Sequence, residues 1–511
     1  MDTIRIHRDI VNAFQDPQRI GYGASAVLVL ISLVIWRLET WRRRKRIDLP
    51  VYHVPMGENA AKVLQEAHQE CLDAPFVLSQ LGLDAVILPT SEIEMVKSLP
   101  ESELSIKHHH YNVFLGEYSY MGTKADEFDA TMRHLLVRNT PVLLESFTAE
   151  VKHAVETAIG RCEGEWVPVP VRHAMSRVAS LMSGRAFVGL PLSRDPDWVE
   201  ATTRYTQDVS LAYVYLRSLP WLIKPFLAPF STPVKSLLHH RHISMYKLAP
   251  LLAAKQQKNG SDTASKAKES NLPGGEMLDW FISRYSKPPT VHQLARDQLL
   301  ATFASIYNLS NALTYIIFDL AAYPEYTDGL RKELKEVVNE KAMIDKSTLP
   351  KLWKFDSFIR ESQRLSPPSI ANIPRYVASA SGFRTSTGHF IPKGHTVMVR
   401  ASPINNDKNL WPDPEKFDGL RFFNLRQRPG NEMKYQHTST GTDNINFGHG
   451  IWACPGRFFA SAEIKVVMAY LITHYEMKLV PGKGRPGHFH YGFAILPDTE
   501  AEVLFKRRET T

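Results

Sequence analysis

With 44% hydrophobic and 22% charged residues, a chain of 511 residues can enclose a buried pocket; it is not a disordered protein, and no fixed-period repeat marks a solenoid. Cys71, Cys162 and Cys454 are too few and too scattered for a disulfide framework or a zinc module of paired thiolates, and they suit a reducing compartment. The net charge of +8 gathers in Arg37, Arg42, Arg43, Arg44, Lys45 and Arg46 beside an apolar run, which favours a membrane surface or an acidic protein partner over nucleic acid.

Residues 1–19 read as a short lumenal N-terminus, and Ile20 to Trp36 as a transmembrane anchor. As a helix this uncharged run spans about 26 Å, close to what a bilayer core of roughly 30 Å requires. Trp36 and Trp41 suit the interface, and the absence of a small-residue cleavage site argues against a signal peptide. Arg5, Arg8 and Arg19 are offset by Asp2, Asp9 and Asp16, whereas the basic cluster after the run faces only Glu39 and Asp48. The positive-inside rule therefore puts the large C-terminal part in the cytosol. Residues 37–55, basic and containing Pro50 and Pro55, read as a linker, and residues 56–511 as the folded domain.

Helical patterns dominate the rest. His108 to His110 read as a solvated loop, since three adjacent histidines fix no coordination geometry. His134 and Arg138 lie four apart on one predicted helix face. Lys255 to Glu276, rich in Lys, Ser, Asn and Gly, reads as a surface loop. The longest helix is predicted from Val291 to Tyr323, where Leu299, Phe303, Ile306, Leu313, Ile317 and Leu320 recur at three- and four-residue spacings until Pro324 stops it. A helix from Asp356, ending before Pro367, sets Glu361 and Arg364 three apart on one face. Beyond Pro368 come short β-like pieces, Phe383–Thr385, Phe390–Ile391 and Thr396–Val399, separated by turns. The class is α+β, mostly α.

Near the C-terminus, FGHGIWACPGRFFA places Cys454 between a glycine-rich approach and a helix running to about His474. Pro455 suits the first helical position, making Cys454 the expected N-cap, where backbone N–H groups and the helix dipole favour an ionised, metal-binding sulfur. Gly448, Gly450 and Gly456 allow backbone to lie close to a flat cofactor. With Phe447, Gly450, Cys454 and Gly456 satisfying F-x-x-G-x-x-x-C-x-G, the sequence resembles the cytochrome P450 superfamily, and most closely its fungal microsomal, secondary-metabolite- and terpenoid-oxidising members.

The resemblance covers roughly Pro50 to Lys506 and implies the P450 fold behind an N-terminal transmembrane helix. It implies haem b with Cys454 as axial thiolate, and haem contacts from His134, Arg138, Arg375, Phe447, Gly450, Trp452 and Gly456. Glu361, Arg364 and Arg421 would form a structural triad beneath the haem. Where the family usually has an acid or polar residue and then threonine, this chain reads Ala304-Ser305-Ile306-Tyr307-Asn308, so Asn308, Tyr307 and Ser305 are the candidate catalytic side chains, and Ser310 is a further hydroxyl should the placement slip. The expected pocket walls, Tyr111–Met121, Ala304–Asn308, Ser369–Ile373 and Gly492–Ala494, are mainly apolar. No flavin or nicotinamide fingerprint is present. The expected activity is therefore a monooxygenase of the endoplasmic reticulum membrane, using O2 on a hydrophobic small molecule. Electrons would come from NADPH-cytochrome P450 reductase, with cytochrome b5 as an additional donor. The alternatives are a haem-thiolate isomerase, lyase or ring-rearranging enzyme on the same fold, which the replacement by Asn308 keeps open, and a non-catalytic haem-binding membrane protein.

Overall fold

The computed structural model describes residues 47–509 except 56–57, 81–82, 124, 220–222, 262–275 and 339–343, with scattered positions between 30 and 38. The expected lumenal segment and most of the expected anchor and basic linker lie outside the described residues. Among the described residues no helix is long and apolar enough to cross a membrane.

The strands in chain order are β1 (Val51–His53), β2 (Phe76–Gln80), β3 (Leu83–Leu88), β4 (Leu104–Ser105), β5 (Val167–Pro170), β6 (Ala371–Val377) and β7 (Phe383–Arg384). They continue with β8 (Phe390–Ile391), β9 (Thr396–Arg400), β10 (Tyr475–Leu479), β11 (His488–Tyr491), β12 (Ala494–Pro497) and β13 (Glu502–Arg507). The largest sheet has the order β1-β2-β3-β9-β6-β4. Its inner strand β9, Thr-Val-Met-Val-Arg, is buried along its whole length, as a strand covered on both faces must be. Val51–His53, within the stretch that the sequence reads as linker, pairs in parallel with β2. The short pieces after Pro368 form where the turn signals put them, as β7, β8 and β9.

The main helices are α1 (Ala60–Cys71), α2 (Ile106–Val113), α3 (Val137–Ile159), α4 (Val171–Phe187), α5 (Pro196–Ser218), α6 (Thr232–Ser261), α7 (Val291–Ala322), α8 (Trp353–Leu365) and α9 (Arg457–His474). The spine is α7. Thr290 caps it in a capping box with Gln293, and it ends just before Pro324. Leu294, Ile306, Leu309, Leu313, Ile317 and Leu320 bury its core face in one apolar cluster with α3, α4 and α9.

Two sequence readings change. The histidine run is the middle of α2, not a loop, because Ser105 caps the helix by accepting the N–H of His108 and His109 is buried. The expected loop from Lys255 begins as helix, since α6 continues to Ser261; residues 262–275 are outside the description.

Candidate active site

Cys454 sits on a loop held by its own backbone, its N–H donating to the Phe447 carbonyl at 2.7 Å. Gly450, at φ +71°, turns this loop: a Cβ there would lie 2.5 Å from the Lys97 carbonyl oxygen, so glycine is required on both counts. The expected N-cap is corrected. Helix α9 starts at Arg457 and Gly456 occupies the cap, because Pro455 and Gly456 complete a turn before helical hydrogen bonding begins. The backbone N–H groups of Gly456 and Arg457 nevertheless lie near enough to the sulfur to favour its ionised form. Burial pushes the Cys454 thiol up, while those N–H groups and the Arg457 charge pull it down. The residue is exposed and so borders open space, here called the cleft.

One end of the cleft is cationic. Arg375 is 1% exposed, and apart from Nη1, which donates to the Pro374 carbonyl at 2.8 Å, its guanidinium Nε and Nη2 are buried with no hydrogen-bond partner among the described residues. Burial holds its pKa down to about 10. The strand bends to put it there: β6 slips register against β9 between Asn372 and Arg375, and Ile373 sits at φ +56°, a region β-branched residues avoid. The Arg375 guanidinium lies 6.0 Å from the Trp452 ring, and Arg133 lies 4.1 Å over the same ring while donating to the Ile451 carbonyl at 2.7 Å. Trp452 spends its single N–H on the Leu99 carbonyl at 2.7 Å, so it offers the site a ring and not a donor. His110 lies near Arg375, and burial together with that charge lowers its pKa to about 4.

His134 and Arg138 are both exposed, and Arg133 is the side chain that reaches the cysteine loop. Arg133 and His134 both lie in a π-helical turn, Thr131–Leu136, ahead of α3. Neither His110 nor Arg133 was singled out from the sequence as a site residue. The arginine's only signal was its place beside the expected pair.

Glu361, Arg364 and Arg421 do come together. Arg364 donates to both Glu361 oxygens at 2.8 Å, and Arg421 Nε contacts them at 3.1 and 3.2 Å. The remaining arginine hydrogens go to carbonyls, including those of Asn405 and Pro414 at 2.7 Å and Pro412 at 2.6 Å. These bonds pin the segment from Asn405 to Arg421 against α8.

Ala304 and Asn308 are exposed in the middle of the otherwise buried α7, so the helix borders an internal cleft there. Asn308 Nδ2 donates to the Ala304 carbonyl at 3.0 Å, and its Oδ1 takes no hydrogen bond among the described residues. Tyr307 is half-buried and stacks on Phe303 at 5.8 Å, and Phe303 meets Phe114 edge-on at 5.3 Å, followed by Tyr213 at 6.3 Å. Tyr491 brings a buried hydroxyl with no partner among the described residues, and Asn372 an amide nitrogen in the same condition. Ser305 differs from its neighbours, for its hydroxyl bonds Ser183 of α4 at 2.6 Å. Ser310 is fully buried and back-bonds to the Ile306 carbonyl at 2.5 Å, so neither serine replaces Asn308.

A family model for Cytochrome P450 matches residues 144–505. The chain belongs to the cytochrome P450 family. It is 54% identical to Cytochrome P450 monooxygenase ataF of Aspergillus terreus, over 91% of this chain and 93% of that one. It is also 54% identical to Cytochrome P450 monooxygenase gliF of Aspergillus fumigatus, over 95% and 97%. The fold matches the retinoic acid-bound cyanobacterial CYP120A1 with a TM-score of 0.67 at 18% identity, covering 90% of this chain and 99% of that one. The chain is thus an oxidoreductase of the P450 monooxygenase class, whose cofactor is haem held by a cysteine thiolate.

The residues present fit that cofactor. A haem carries two carboxylates, and the unbonded Nε and Nη2 of Arg375 are buried donors of the kind a carboxylate satisfies. Cys454 offers the sulfur, Gly450 the close backbone, and Phe447 a half-buried ring packed edge-on against His437 at 5.2 Å.

Proposed function

We propose that this P450 monooxygenase hydroxylates or otherwise oxidises a hydrophobic, ring-containing small molecule of the secondary-metabolite kind, terpenoids among them. It does so at the endoplasmic reticulum membrane, behind a single N-terminal anchor, with electrons from NADPH-cytochrome P450 reductase. The observation that carries the substrate reading is the ring wall Tyr213–Phe114–Phe303–Tyr307 beside Asn308. Flat apolar faces select an apolar ligand, and the few unpartnered polar groups, Tyr491 Oη and Asn372 Nδ2, orient it. Comparison with the fungal monooxygenases ataF and gliF supports the same reading.

Bound haem supplies the reduction of dioxygen and the insertion of one of its oxygen atoms into substrate. The chain's own residues do the rest. Cys454 would present the sulfur, with two N–H groups and the Arg457 charge offsetting part of what burial costs its ionised form. Arg375 would hold a haem carboxylate at the cationic end, with Arg133 adding charge nearby. Asn308, its Nδ2 tied to Ala304, keeps its carbonyl oxygen available to hold a water, which is the proton-handling task a hydroxyl performs elsewhere in the family.

The test is turnover with purified reductase, NADPH and 18O-labelled dioxygen on candidate metabolites from cells with and without the protein. One labelled atom in the product and matching NADPH consumption are expected. Turnover that needs no dioxygen would instead establish the isomerase or lyase reading.

A further inference from the structure

Glu463 is 0% exposed on the helix that follows Cys454, and among the described residues no lysine or arginine pairs with it. Both of its oxygens face Ser183 Oγ, at 3.1 and 3.3 Å. Ser183, 1% exposed on α4, in turn bonds Ser305 of α7 at 2.6 Å. A carboxyl, a hydroxyl and a second hydroxyl therefore link three helices through the apolar core. The neighbouring gap, bordered by Ser180, Ser183, Thr202 and Thr302, is too narrow to admit a water molecule beside Ser183. Burial drives the Glu463 carboxyl pKa well above the usual range, against the opposing Ser183 bond, and a protonated acid can donate to Ser183 while Ser183 donates to Ser305.

Such a chain has a consequence for the reaction. Helix α9 leads out of the cysteine loop, and Ser305 lies between Ala304 and Asn308, the two positions that face the cleft. An isolated buried carboxyl in an apolar core is unfavourable, and aliphatic packing of the same volume would be as stable or more so. We propose that Glu463 is a positioning residue, which through Ser183 and Ser305 clamps the middle of α7 to the cysteine helix and sets where Ala304 and Asn308 stand over Cys454. The clamp acts from the rear face of α7, on the side away from substrate. Ser305 therefore belongs to the support of the site, and Asn308 to its surface.

The test compares Glu463→Gln, Glu463→Leu and Ser305→Ala as full-length holoproteins, by hydrogen exchange of the backbone amides of residues 301–309, product formed per NADPH consumed, and the ferrous carbon monoxide spectrum. Glu463→Gln, which still donates to and accepts from Ser183, should match the parent in all three. Glu463→Leu should exchange on the order of tenfold faster in that segment, the population change that one lost buried hydrogen bond produces. It should also waste NADPH, while its spectrum keeps the thiolate band. Ser305→Ala removes the last link without touching the core acid and should reproduce the exchange and the waste, which covers the case in which Glu463→Leu fails to fold. Parental exchange in Ser305→Ala overturns the proposal, as does NADPH waste without faster exchange. A Gln variant as impaired as Leu also overturns it, because the carboxyl would then act as a charge.

Discussion

Two of the polar clusters in this molecule are built on opposite rules. Around Glu361 the buried charges are matched: one carboxylate takes two arginines and the Asp418 N–H, and the leftover arginine hydrogens reach backbone carbonyls. Around Arg375 and α7 the matching is deliberately incomplete, with Arg375 Nε and Nη2, Asn372 Nδ2 and the Tyr491 hydroxyl lacking partners among the described residues. Saturation fixes one conformation, whereas unsatisfied donors beside an apolar wall store affinity for something else. Of these two clusters, the one with nothing left to bond serves as scaffold, and the one with buried donors to spare suits a ligand.

Removing a matched partner should have the largest effect. Glu361→Ala strands two buried guanidinium groups, which costs about 3–5 kcal/mol, and the folded yield of holoprotein should collapse. A variant of normal yield and unchanged denaturation midpoint would break the contrast. Arg375→Leu is the reciprocal case. Deleting an under-bonded buried charge should leave the haem-free protein as stable as the parent or more so, yet speed haem transfer to an acceptor globin by about tenfold, the value of one charged hydrogen bond. Loss of stability in the haem-free form would show that Arg375 belongs with the scaffold.

His437, packed against Phe447 with its Nδ1 buried and without a partner among the described residues, carries the comparison into pH. It is 1% exposed, and burial lowers its pKa from the ordinary 6.5 to about 3. The unfolded chain therefore binds a proton that the folded one refuses as pH falls from 6.5 toward 3. The stability associated with neutral His437 is full above 6.5 and declines below it, by about 1.4 kcal/mol per pH unit from this one group. His437→Phe should flatten that acid limb in denaturation measured at pH 7, 6 and 5, and an unaltered limb would contradict the assignment. Asn308→Ala should have the smallest effect on stability, within about 0.5 kcal/mol, while lowering product per NADPH. An unchanged product yield would remove Asn308 from the site.

Much of this was legible in the sequence because the signals were local. The apolar spacing and Pro324 bounded α7 to within a residue, the Glu361 and Arg364 spacing placed both side chains on one helix face, and the cysteine motif carried its own turn. What the sequence left hidden depended on phase or on distance. Arg133, in a π-helical turn at Thr131–Leu136, reaches the cysteine loop, and nothing in those six residues announces it. The choice by Trp452 of Leu99, the burial of His109 in a capped helix and the rear-facing Ser305 are all tertiary outcomes. Glu463 lies 280 residues from Ser183, and in the sequence it is an ordinary glutamate on a helix.

The central claim is that the Cys454 sulfur is the ligand around which both clusters are arranged. The direct measurement is the carbon monoxide difference spectrum of the reduced holoprotein and of Cys454→Ser. The parent should show the red-shifted Soret band of thiolate ligation and the variant should lose it; a band that survives the substitution, or is missing from the parent, would contradict the account.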